Sequence, residues 1–129
     1  MIRDEICTYE VCKLAKEKGF RETVGWYYNT NGLKLLKRGC NGGNPNLING
    51  LYSAPTQSLL QRWLREEKGV VVEVMCLPTT RTSSKYEYKR HIFWGSDGHY
   101  IEGKYGDEIF DTYELALEDA LKYALEKLV

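Results

Sequence analysis

The chain has 129 residues, of which 43% are hydrophobic and 28% charged, a balance that fits a folded globular protein and excludes disorder over most of its length. Its 18 basic and 18 acidic side chains cancel, which removes a strong net field as the means of holding nucleic acid or a membrane surface. No apolar run approaches the roughly 18 residues that a membrane span needs. The start, Met1-Ile2-Arg3-Asp4-Glu5, carries acids early and no apolar stretch of the kind a secretory leader has, so a cytoplasmic location is expected. The charge is mildly split: residues 1–50 hold eight basic and five acidic side chains (+3), and residues 51–129 hold ten and thirteen (−3).

The first predicted element is a short helix. Thr8 can cap it, Val11, Cys12, Leu14 and Ala15 give it an apolar face, and Gly19 can take the left-handed conformation that ends it, with Phe20 packing back. A hairpin follows, with Thr23–Tyr28 as one strand, Asn29-Thr30-Asn31-Gly32 as the turn and Leu33–Lys37 as the return, although Leu33–Arg38 is short enough to be read as helix too. Residues 38–50 combine Gly39, Gly42, Gly43 and Gly50 with Asn41, Asn44, Asn46, Asn49 and Pro45, and read as a long flexible Gly/Asn-rich loop inside one domain.

Pro55 stops an extended segment and Thr56 can cap a second helix, in which Leu59, Leu60, Trp63 and Leu64 share one face and which Gly69 ends. Three strands are predicted next: Val70–Leu77, Lys85–Trp94 and His99–Tyr105, joined by the polar stretch 78–84 and the tight turn 95–98. For the last helix, Asp111 and Glu114 read as a capping box, and Phe110 and Leu115 as the matching hydrophobic staple. Its predicted apolar stripe is Tyr113, Leu117, Ala120, Leu121, Ala124 and Leu128. The order α-β-β-α-β-β-β-α gives an α+β fold over residues 1–129, an antiparallel sheet (hairpin plus three-stranded meander) covered by three helices.

Residues that could carry chemistry are few. Cys7, Cys12, Cys40 and Cys76, with His91 and His99, could in principle supply a tetrahedral metal site, but there is no C-x-x-C pair and Cys7 and Cys12 are badly spaced to share an ion. No metal or other cofactor is expected, and Cys12 and Cys76 read as small core residues. A thiol mechanism would need Cys40 beside His91 or His99, with Asp97 orienting the base. The stretch Gly39-Cys40-Asn41-Gly42-Gly43 is similar to a glycine-rich motif of papain-like cysteine proteases, but it is not the segment that bears their nucleophile, and the chain is too short for that two-lobed fold. No phosphate-cradling glycine motif is present, and the acidic pairs Glu66-Glu67, Asp107-Glu108 and Glu118-Asp119 read as solvated surface.

The richest segment is Tyr86–Trp94, where aromatic residues alternate with Lys89 and Arg90. Tyr86, Tyr88, Lys89, Arg90, Trp94 and Tyr100 are therefore the candidate binding residues. On an open sheet such a strand can stack bases while its cations hold phosphates. On a closed one the same rings belong to the core or to a protein contact. Residues 56–128 follow the α-β-β-β-α order of double-stranded-RNA-binding domains. The start of the last helix, however, holds Asp107, Glu108, Asp111 and Glu114 where that family places lysines.

Two stretches carry a more specific likeness. Ser53-Ala54-Pro55-Thr56 followed by Gln61–Glu66, and Asp111-Thr112-Tyr113-Glu114 followed by Ala116–Lys122, resemble small uncharacterised proteins of gut bacteria and their phages and prophages, as do Glu5-Ile6-Cys7 and the Gly19-Phe20 helix end. The likeness covers most of the chain in outline and is weakest in the Gly/Asn loop. It implies a cytoplasmic protein associated with a mobile element, and brings no activity and no catalytic residues. The expectation is a small non-enzymatic interaction protein whose partner is another protein or a second copy, with no membrane. Nucleic-acid binding through residues 85–94 is the first alternative and a thiol-dependent enzyme the second.

Overall fold

The computed structural model describes residues 4–29, 35–37, 39, 43–78, 86–96, 99–105 and 108–129; for residues 86, 95–96 and 99–105 it describes the backbone alone. The fold is α+β; the described residues form three α-helices and two antiparallel three-stranded sheets, and the chain divides into two compact units, Met1–Leu60 and Gln61–Val129.

In the first unit, α1 spans Tyr9–Glu17. Thr8 stands at the N-cap in extended conformation and its carbonyl accepts from Cys12 N–H at 2.9 Å, while its hydroxyl makes no capping bond. An apolar clasp closes this end instead. Cys7 and Cys12, the residues before the cap and at the fourth helical position, are both fully buried, and the Cys12 thiol donates to the Cys7 carbonyl at 3.6 Å. At the other end Gly19, at φ +93°, and Phe20 donate back to the carbonyls of Lys16 and Ala15, a paired-bond ending that needs the left-handed glycine. Phe20 is buried.

Strands β1 (Trp26–Tyr28) and β2 (Leu35–Lys37) pair antiparallel, with Tyr27 opposite Leu36, so the strand alternative holds for the second segment. Residues 30–32 of the predicted turn and 33–34 of the predicted return strand lie outside the described residues. A third strand, β3 (Tyr52–Ser53), pairs with the other side of β1 and forms part of the extended segment before Pro55.

The second half of the Gly/Asn loop is fastened by side-chain amides. Asn44 caps a 3-10 turn over Pro45–Leu47, accepting from Asn46 N–H at 3.0 Å. Asn46 is buried; its Nδ2 donates to the Phe20 carbonyl at 2.6 Å and its Oδ1 accepts from Ser53 N–H at 2.7 Å. One side chain thus ties the end of α1 to the edge of β3. Residues 38 and 40–42 of the loop lie outside the described residues.

Helix α2 (Gln57–Lys68) leads from the first unit into the second. Its cap is the predicted one: Thr56 Oγ1 accepts from Leu59 N–H at 3.1 Å. Leu60, Trp63 and Leu64 are buried and Gly69 turns the chain at φ +67°.

The second unit is a meander of β4 (Val70–Pro78), β5 (Tyr86–Ser96) and β6 (His99–Tyr105), in that spatial order. β5 extends two residues further than the sequence reading gave, because a register shift between Trp94 and Gly95 lets Gly95 and Ser96 stay paired. Residues 97–98 and 79–85 lie outside the described residues. Beyond the end of β6, Phe110 takes up the same edge of β5, exchanging two backbone hydrogen bonds with Tyr88.

Helix α3 (Tyr113–Lys127) packs on β4 and β5, and its start corrects the predicted capping box. The N-cap is Thr112, whose hydroxyl accepts from Leu115 N–H at 3.1 Å. The bridge to Tyr88 places Phe110 outside the helix, which suits either cap, and the helix begins one residue later than predicted. Glu114 then falls at the second helical position and Leu115 at the third, and Leu115 is left 56% exposed rather than stapled to Phe110. The buried stripe is Ala116, Leu117, Ala120, Leu121, Ala124 and Leu125; Tyr113 and Leu128, which the predicted stripe included, lie at its ends and stay partly open.

Thr112→Ala is expected to cost about 1 kcal/mol in urea unfolding, and Asp111→Ala to stay within about 0.5 kcal/mol. The reverse ranking would restore the predicted cap.

Candidate interaction surface

Cross-strand partners in the meander share a face, so the register sorts the candidate residues. Tyr88, Arg90, Ile92 and Trp94 lie on one face opposite Cys76, Val74, Val72 and Val70. This is the face toward α3. The Tyr88 ring meets Tyr113 edge-on at 6.4 Å, and Arg90 Nη1 donates to Asp119 Oδ2 at 2.7 Å. The Arg90 guanidinium also lies 4.6 Å from the centre of the Tyr123 ring. The pair is partly shielded, which strengthens it over a surface pair, and stacking on Tyr123 adds roughly 0.5–1 kcal/mol. Trp94 is half-exposed.

Lys89 lies on the other face, opposite Met75, and is half-buried. His91 shares that face, is buried, and rests its ring centre 3.8 Å from that of Phe93. The two cations of the aromatic strand therefore point to opposite faces of the sheet. For Tyr86 and Tyr100 the strand positions are described and the side chains are not. Of the thiol constellation, Cys40 and Asp97 lie outside the described residues, as does the side chain of His99. Cys12 is buried as expected, but Cys76, read as a core residue, is exposed toward the end of the edge strand β4. Among the described residues no group of three or more His, Cys, Asp or Glu is arranged to hold a metal ion.

One cluster has no counterpart in the sequence reading. Tyr9, Tyr28 and Tyr52 come from α1, β1 and β3, and the Tyr9 ring meets the other two edge-on at 5.8 and 5.3 Å. Tyr28 donates its hydroxyl proton to the Cys7 carbonyl at 3.0 Å. Lys16 Nζ donates to the carbonyls of Ile48 and Leu51 at 2.7 and 2.8 Å, and sits 4.9 Å from the centre of the Tyr52 ring. Three tyrosines on three separate elements leave no local spacing to read. Tyr9 is held above the ordinary tyrosine value of 10.0 by partial burial first, then by the charge of and a hydrogen bond with Tyr52, with Lys13 pulling the other way.

No protein family, curated protein or solved structure matches this chain. No helix among the described residues is long and apolar enough to cross a membrane.

The Tyr9 environment gives a pH dependence. Because folding raises its pKa, the neutral phenol contributes stability that is fully present below pH 10.0 and is lost as the pH rises through the higher folded value. Ultraviolet titration of phenolate should show a late component that disappears in Tyr9→Phe and moves down toward 10.0 in Tyr52→Phe. A late component unchanged in Tyr9→Phe would contradict this assignment.

Proposed function

We propose that the chain is a small non-enzymatic interaction protein that binds another protein or a second copy of itself, and that, as its sequence likeness suggests, it is carried by a mobile element of gut bacteria. The observation that carries this reading is the exposure of large apolar side chains: Trp26, Leu47 and Ile48 in the first unit, and Ile109, Tyr113 and Leu115 in the second. Single exposed apolar residues are ordinary. Here Leu47 is 69% exposed beside exposed Ile48, and three of the seven residues from Ile109 to Leu115 are exposed large apolar ones. Aromatic and aliphatic side chains of this kind are what protein contacts bury.

The arrangement of cations supports the same choice over nucleic acid. A phosphate grip needs several free cations on the face that stacks the bases. Arg90 instead neutralises Asp119 beneath α3, and Lys89 stands on the opposite face.

A photo-crosslinking residue at position 47 or 115 should capture a discrete protein species, including a second copy, in cells that make the protein. Short single- and double-stranded RNA and DNA should keep their gel mobility at low salt. Failure to capture protein at both positions by a chain that stays monomeric, or nucleic-acid binding that weakens as salt is added, would overturn the proposal.

A further inference from the structure

Strand β4 lies at the edge of the second unit's sheet, and three observations fix which of its residues turn their backbone groups outward. Phe110, on the side of β5 away from β4, exchanges both hydrogen bonds with Tyr88, at 2.9 and 3.3 Å. Alternate residues of a strand bond to alternate sides. Tyr88, Arg90 and Ile92 therefore turn away from β4, and their partners Cys76, Val74 and Val72 turn away from β5. Consistently, the Val72 carbonyl receives Gln61 Nε2 at 2.5 Å. Pro78, at the same parity, occupies a place where a missing N–H costs the ladder nothing.

Among the described residues, none bonds to the outward N–H and C=O groups of Val74 and Cys76. Exposed edges are ordinarily blunted by charges, proline, a bulge or a covering segment. Pro78 and the Gln61 contact at Val72 guard the two ends of this edge; between them the one charged residue is Glu73, and the pairing with β5 runs without a bulge. Cys76 and Pro78 are exposed, and Val74 is half-exposed.

We propose that β4 pairs antiparallel with β4 of a second copy about a two-fold axis at Met75, joining two three-stranded sheets into one. The inference rests on the interaction reading above and names its partner. Hydrogen bonding selects the register. With the axis at Met75, Val74 faces Cys76 of the second copy and the two exchange both bonds, while Val72 faces Pro78 of the second copy. Pro78 has no N–H to offer, and the Val72 carbonyl it would have served already holds Gln61. The missing donor and the filled acceptor coincide. An axis at Val74 would set Pro78 against Val70, and an axis at Cys76 would set it against Val74, each leaving a carbonyl without a donor. With the axis at Met75, Glu73 faces Leu77 of the second copy, so no like charges are opposed. A two-fold contact of this kind closes on itself and stops at the dimer.

Sedimentation equilibrium of the full chain should show a reversible dimer. Val74→Pro removes an outward donor in each copy without touching the bonds to β5. It should raise the dissociation constant about thirtyfold or more, with the far-ultraviolet circular dichroism unchanged. In a chain carrying Cys40→Ser and Cys76→Ser, Met75→Cys should oxidise to a disulfide-linked dimer, because residues facing each other in a non-hydrogen-bonded pair hold their Cβ atoms about 4.5–5.5 Å apart; Val74→Cys should not. A monomer at high concentration, a dimer indifferent to Val74→Pro, or linkage through Val74→Cys in place of Met75→Cys would overturn the pairing. A monomer that still captures a different protein from position 47 or 115 defeats the pairing and leaves the interaction reading standing. One that captures nothing defeats both.

Discussion

The second unit depends on one pair of hydrogen bonds, those between Tyr88 and Phe110. A strand has two faces and two edges, and its side chains and backbone groups alternate between them. Once Tyr88 turns its N–H and C=O toward Phe110, every other residue of β5 is assigned to a side. Glu87, Lys89, His91 and Phe93 bond to β4, and Tyr88, Arg90 and Ile92 bond away from it. The same pair of bonds holds Phe110 on the edge of β5, two residues before the Thr112 cap of α3. The directions in which the backbone groups of β5 and β4 turn thus follow from the place where the chain returns to β5.

In the first unit, side-chain amides act as backbone. Asn46 offers its oxygen to Ser53 and its nitrogen to Phe20, and Asn44 links Arg21 with the 3-10 turn it caps: Nδ2 to the Arg21 carbonyl at 2.7 Å, Oδ1 accepting from Asn46. Lys16 binds two further carbonyls of the same stretch. A short two-residue strand such as β3 gains little from its own ladder. Here it is held by β1 on one side and by an asparagine on the other.

Helix ends and strand order were legible in the sequence because their causes are local. Gly19 and Gly69 read as helix stops since only a residue without a side chain takes their positive φ cheaply, and Thr56 read as a cap from the apolar face behind it. The capping box at Asp111 misled because Asp111 and Thr112 are both competent caps, and local spacing does not choose between neighbouring ones. The alternation of Tyr86–Trp94 correctly announced a strand. That alternation already sends the neighbours Lys89 and Arg90 to opposite faces, so they could not share one site; what it did not say was which face α3 would cover. The tyrosine cluster and the role of Asn46 were invisible for the same reason: their partners come from separate elements.

The central physical claim is the direction of the β4 backbone, and residue-resolved hydrogen exchange at low protein concentration measures it most directly. The amides of Val71, Glu73 and Met75, which bond to β5, are expected to exchange slowly, and those of Val74 and Cys76, which face outward, to exchange fast. Slow exchange at Val74 and Cys76 with fast exchange at Glu73 and Met75 would contradict it.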